Sequence, residues 1–118
     1  MSDTYSLNGF DIFALSKKLV VACYSLTANL PKEEKTNLTQ YIRNAALTAH
    51  INIVQGAFLK KKKAKERFLT GAQHSLVVID AAIDVLVEVE LAKEEETIEV
   101  IELTSQCYEL LDRLKKEK

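Results

Sequence analysis

The chain has 118 residues, with 16 Lys or Arg against 17 Asp or Glu, a net charge of −1, and 47% hydrophobic residues. That length suits one domain, and the apolar fraction excludes a disordered chain. Three Gly and one Pro are too few for the repeated hairpins of an all-β fold, and two Cys are too few for a disulfide framework.

Asn8-Gly9 is a turn signal. From Phe10 the apolar residues take a helical period, with Ile12, Leu15, Leu19, Cys23 and Leu26 on one face, which predicts a first helix over residues 10–28. Pro31, tolerated in a first turn, followed by Glu33-Glu34 at the positive end of the dipole, predicts a second helix over 32–58. Its middle is small (Ala45, Ala46, Ala49), so a neighbour can approach closely. Gly56 or the lysines after it mark its end.

A third helix is expected over 64–90, with Phe68, Ala72, Ser75, Ile79, Ala82, Leu86 and Val89 as a heptad seam. A fourth, over 95–115, repeats the rhythm in Val100, Leu103, Cys107, Leu110 and Leu114. The two seams run in phase with no Gly or Pro between them, so one helix of ~50 residues is formally possible against a usual 11–12. The acidic run Glu94-Glu95-Glu96 suits a helix N-terminus and favours a break between Val89 and Glu95.

Four helices with short links predict an all-α, up-down-up-down antiparallel bundle in a single domain, 1–118. A second apolar stripe (Leu69, Leu76, Ile83, Val87) flanks the third seam, and Ile98, Ile101, Tyr108 and Leu111 flank the fourth. A helix apolar on more than one face is central or buried again between subunits. Self-association through Leu69, Leu76, Ile83, Val87, Ile98, Ile101 and Tyr108 is therefore expected.

Charge is segregated. From Arg43 to His74 seven bases (Arg43, Lys60, Lys61, Lys62, Lys63, Lys65 and Arg67) face one acid, Glu66. From Asp80 to Glu102 nine acids face Lys93 alone. The basic cluster reads as a docking site for phosphate of nucleic acid, as a solvated turn, or as one half of a head-to-tail subunit contact. Arg43 either contacts phosphate or pairs with an acidic neighbour.

Catalytic and metal patterns are weak. His50 and His74 follow Leu47 and Gly71 by three residues, so the Glu-x-x-His of a di-iron bundle is missing. Asp80, Asp84 and Glu88 share a helix face, but no His joins them, and an acidic ridge explains them better than a metal site. No Gly-rich phosphate loop is present, and Cys23 sits on the apolar stripe. No enzyme activity, cofactor, metal or small-molecule substrate is expected. Apolar runs such as Leu76-Val77-Val78-Ile79 fall far short of the ~20 residues of a membrane helix, and no basic region opens a signal peptide. With two unpaired Cys, the expected compartment is the cytoplasm.

Several strings together resemble a known family. Leu30-Pro31-Lys32-Glu33-Glu34 looks like its entry to the second helix. Leu38-Thr39-Gln40-Tyr41-Ile42-Arg43-Asn44-Ala45-Ala46 is similar to its Leu-Thr-x-x-Ile-Arg-x-Ala-Ala stretch, and Asn52-Ile53-Val54-Gln55-Gly56 to its Asn-Ile-Ala-Glu-Gly signature. Phe68-Leu69, Ala72 and Ser75-Leu76 resemble the opening of its third helix. The family is that of the four-helix-bundle proteins encoded in intervening sequences of bacterial 23S ribosomal RNA genes, related to the accessory variability proteins of diversity-generating retroelements. Gln55 and His74 depart from its pattern. The resemblance implies a ring-forming homopentamer, a non-catalytic accessory of RNA or of a reverse-transcriptase-like protein. A protein-interaction scaffold, its charge patches serving only subunit pairing, is the competing expectation.

Overall fold

The structure is a computed structural model, and it describes residues 6–7 and 10–117. The expected turn at Asn8-Gly9 lies outside the described residues. A short antiparallel pair, Ser6–Leu7 (β1) with Phe10–Asp11 (β2), leads into four helices: α1 (Ile12–Thr27), α2 (Leu38–Ala57), α3 (Lys62–Glu88) and α4 (Glu94–Lys116). Each helix packs on its neighbours in the order α1, α2, α3, α4 and back to α1. Cross-helix contacts fix the directions. Ser16 meets His50 while Thr27 meets Arg43; Gly56 lies against Phe68 while Gly71 lies against Asn52; and Gln73 meets Tyr108 while Asp84 and Val87 border a groove with Glu94 and Thr97. Consecutive helices therefore run antiparallel, and the up-down-up-down bundle is the fold.

The helix ends follow from local chemistry. Residues Phe10 and Asp11 are extended and not helical, because the Asp11 carboxylate accepts from the Phe13 N–H at 2.9 Å and caps α1. The second helix does not start at residue 32. Lys32–Glu34 form a separate 3-10 turn, and α2 begins six residues later. There the Glu34 carboxylate accepts from both the Asn37 side chain (3.0 Å) and the Leu38 N–H (3.3 Å), so the acid expected inside the first turn lies ahead of it.

The third and fourth helices are separate. Glu90 takes a left-handed φ of 63°, the only non-glycine residue described with a positive φ. The Leu91 N–H bonds back to Leu86 O and the Glu90 N–H to Val87 O, both at 3.0 Å. This is a Schellman stop, with Glu in the place glycine usually occupies. Leu91 then packs on the core. At the start of α4 the Lys93 N–H donates to Glu96 Oε1 at 2.8 Å, and Glu94, Glu95 and Glu96 occupy the positive first turn.

The core is one contiguous cluster along the bundle axis. Val100, Leu103, Cys107, Leu110 and Leu114 all face it. On α3 the buried seam is Leu69, Ala72, Leu76, Ile79, Ile83 and Leu86, rotated from the expected one. The stripe assigned to a subunit contact is thus the inner face, and Phe68, Ser75 and Ala82 are its half-buried flank. By length and hydropathy α3 alone, among the described helices, is apolar enough to cross a membrane. Much of that apolarity is this seam.

Closest packing is between α2 and α3. Ala45, Ala46, Ala49 and Gly56 let α3 approach. A Cβ added at Gly56 would sit 3.2 Å from Phe68 Cβ, so the glycine there serves the close approach of α3. At Gly71 a Cβ would meet Asn52 Nδ2 at 3.1 Å.

Candidate nucleic-acid interface at one end of the bundle

The α2–α3 link and the last turn of α4 form the same end of the bundle. Lys60, Lys62, Lys65 and Glu66 line a cavity there with Lys115 and Glu117, over a floor of Leu69 and Leu114. Lys60, Lys61, Lys62, Lys63 and Arg67 are exposed and Lys65 half-buried. The structure adds Arg113, Lys115 and Lys116 from the last turn of α4. Nine bases then face three acids, Glu66, Asp112 and Glu117. The acids offset little of this charge: Lys62–Glu66 (3.8 Å) and Lys116–Asp112 (3.5 Å) are solvated i,i+4 pairs. Acceptance of a hydrogen bond from Gln73, aided by Lys116, holds Asp112 below the ordinary carboxylate range.

Lys115 is positioned by a buried residue. Gln73 is 3% exposed; its Nε2 donates to Tyr108 O at 3.3 Å, and its Oε1 accepts from Lys115 Nζ at 2.7 Å. A polar residue on a heptad seam was the available signal for this bridge. Its link to Lys115, 42 positions on, required the fold.

Arg43 does not belong to this end. It lies 13 residues before Gly56 on α2, or ~20 Å along the helix. Its Nε donates to Thr27 Oγ1 at 2.8 Å, and its guanidinium stacks 4.4 Å from the Tyr24 ring. It joins α2 to α1, and the side chains it meets there, Thr27 and Tyr24, are not acidic.

The residues expected at a subunit contact divide. Leu69, Leu76 and Ile83 are at most 2% exposed within the single copy and are excluded from any surface role. Val87 is half-buried, while Ile98, Ile101 and Tyr108 are exposed. Tyr108 shares a groove between α3 and α4 with Val77 and Asp80, and Ile101 a second one with Asp80, Asp84 and Val87. Burial pushes the Asp80 carboxyl above its ordinary value. The sequence reading missed Val77, and it missed Val21, Tyr41, Leu47, Ile51 and Phe58, which are also exposed.

Ser16 Oγ lies 2.7 Å from His50 Nδ1, the spacing of a nucleophile and its base. Ser16 is 1% exposed, so no substrate can reach its oxygen. The pair fastens α1 to α2. Both cysteines are sealed in the core, where burial pushes their thiols up to about 12. Among the described residues no three His, Cys, Asp or Glu side chains are placed to hold a metal ion.

The family model for the 23S rRNA-intervening sequence proteins matches residues 8–114. Among solved structures, the chain is similar to a protein of unknown function from the S23 ribosomal protein family of Bacteroides thetaiotaomicron. The TM-score is 0.79 at 14% identity, over 90% of this chain and 99% of that one. At that identity the likeness speaks for the fold alone. No curated protein matches the chain significantly.

Proposed function

The chain belongs to the 23S rRNA-intervening sequence protein family, and on that footing we propose that it is a non-enzymatic, self-associating accessory protein that grips RNA at the basic end of its bundle. The observation that carries this is the gathering of Lys60–Arg67 with Arg113, Lys115 and Lys116 on one end, around a cavity with lysines on both walls. Clustered bases bind phosphate by releasing counterions, with no base-reading element required. The acids collect elsewhere: Glu33 and Glu34 ahead of α2, Glu88 and Glu90 at and just past the end of α3, and Glu94–Glu96 opening α4 occupy the opposite end. An anion approaching the basic end therefore meets an electrostatically one-sided surface on a protein whose net charge is only −1.

Self-association multiplies that surface. Five copies of the 13.3 kDa chain, about 67 kDa, is the expected assembly. The number five follows the family resemblance; self-association itself is supported by the large exposed apolar residues carried by all four helices. The same observation favours the second reading, a scaffold that pairs copies and binds no RNA.

Fluorescence anisotropy with structured RNA over a salt series separates them. If the six bases of Lys60–Arg67 meet phosphates, log K falls with log salt at a slope of about −5, taking ~0.9 per contact on a duplex. Reversal of Lys60, Lys61, Lys62 and Lys63 to Glu removes that binding while the assembled mass stays constant. No salt-sensitive binding at micromolar protein, with an assembly that falls apart on the same reversal, selects the scaffold.

A further inference from the structure

The cavity at the basic end is lined in a way that favours one kind of phosphate over another. Lys60, Lys62, Lys65 and Glu66 reach it from the start of α3 and the link before it, and Lys115 and Glu117 from the end of α4. Four ammonium groups against two carboxylates leave this lining at +2, on a chain whose net charge is −1. The floor is made of Leu69 and Leu114, only 1% and 6% exposed, so an anion in the cavity has no water on that side. Charge-assisted hydrogen bonds are stronger in such a place than on an open surface. The volume is about 210 Å³, below the ~300–1,000 Å³ of pockets that enclose a drug-sized ligand. A phosphate group and the start of a ribose fit, while the rest of a nucleotide stays outside.

One of the four lysines is held in place before any ligand arrives. Lys115 Nζ donates to Gln73 Oε1 at 2.7 Å, and Gln73 is itself fixed by donation from its Nε2 to Tyr108 O at 3.3 Å and to Asp112 Oδ1 at 3.5 Å. Gln73 takes one of the three N–H donors of this ammonium and leaves two for a ligand. A half-buried, tethered lysine loses little further freedom when it grips an anion. The Asp112 carboxylate is not part of the lining, and Lys116 engages it at 3.5 Å.

RNA offers two kinds of phosphate. An internal phosphate is a diester with a single charge, two unbridged oxygens, and strand leaving on both sides. A terminal phosphate is a monoester with a charge of about −1.5 to −2 near pH 7, three acceptor oxygens, and strand on one side only. The +2 lining, the lysines on two walls and the small volume all match the second kind. We propose that this cavity is a socket for the terminal phosphomonoester of an RNA strand, with Lys60, Lys62, Lys65 and Lys115 donating to its oxygens. The exposed Lys61, Lys63 and Arg67 on the same end remain for the diesters that follow. This rests on the RNA reading above and narrows it from phosphate in general to a strand end.

The test is fluorescence anisotropy on the full chain with one hairpin RNA, labelled in its loop and bearing short single-stranded tails. It is made in three forms: with a 5′-phosphate, with a 3′-phosphate, and with hydroxyls at both ends. At pH 7.5 at least one phosphorylated form is expected to bind about tenfold tighter than the hydroxyl form, with a salt slope more negative by about 1. Lys115→Gln is expected to cut that preference to about twofold. Arg113→Gln, outside the lining, is expected to weaken all three forms alike and to keep it. Equal binding of all three RNAs leaves the RNA reading standing and overturns the socket. A preference that survives Lys115→Gln overturns it too. Binding of none of the three removes the RNA reading itself, and this inference with it. Displacement of the phosphorylated RNA by adenosine 5′-monophosphate at equal concentration makes the cavity a nucleotide site and overturns its assignment to a strand end. Where Lys115→Gln fails to fold, Lys60→Gln with Lys62→Gln replaces it, with the same loss of preference expected and the same result overturning the proposal.

Discussion

Replacement of Glu90 by glycine should stabilise this protein. Glu90 ends α3 in a left-handed conformation, φ 63°, and its N–H and that of Leu91 close the bonds that stop the helix. A residue with a Cβ loses ~1–2 kcal/mol in that region. Glycine avoids this but gives up ~0.5–1 kcal/mol more backbone freedom on folding. The net gain for Glu90→Gly is ~0.5–1 kcal/mol, and removing an anion from the negative end of a helix adds a few tenths. For 118 residues at ~2.1 cal/mol/K each, the unfolding entropy is ~0.25 kcal/mol/K, so Tm rises by ~3–5 °C, of which ~2–4 °C is the backbone contribution. Glu90→Ala is the control, because it removes the charge and keeps the Cβ. Urea unfolding followed by far-ultraviolet circular dichroism, at one fixed protein concentration, reads both. If the glycine variant is no more stable than the alanine variant, the reversal is not held in a left-handed residue, and the account of why α3 and α4 separate without glycine or proline is wrong.

The two helical glycines should respond oppositely to alanine. Gly56→Ala pushes a methyl against Phe68 Cβ at 3.2 Å, where backbone must yield, and costs ~1–3 kcal/mol in urea unfolding. Gly71→Ala meets only the free end of the Asn52 amide and gains up to ~1 kcal/mol of helix propensity. Burial, with Lys17 beside it, holds His50 below its ordinary 6.5, so the unfolded chain takes the proton first. Stability is therefore full above about pH 6.5 and falls as pH drops from there to the folded pKa. His50→Gln should flatten that fall in denaturation curves measured from pH 7.5 to 5.5. The thiols of Cys23 and Cys107, raised to about 12 by burial, should react with a thiol reagent only in denaturant; rapid labelling of the native protein contradicts the core described above.

The heptad spacing, the scarcity of glycine and proline, and the small-residue middle of α2 together determined an antiparallel four-helix bundle, because apolar periodicity is a property of the local chain. Glu94-Glu95-Glu96 even marked the start of α4, since a helix dipole acts within one turn. The break before it was ambiguous for a physical reason: the chain turns at a glutamate held in the left-handed region by two backbone bonds, and no residue type announces that. Which of two adjacent stripes on α3 faces inward was decided by its neighbours. Leu69, Leu76 and Ile83 point inward and Val77 outward because α2 and α4 flank α3 on both sides. The same packing drew Arg43 to Tyr24 and Thr27, ~20 Å from the lysines beside which it stands in the charge count, and brought Lys115 to them from the far end of the chain. Sequence spacing fixes what a helix can bury; only the other helices determine which residues become neighbours in space.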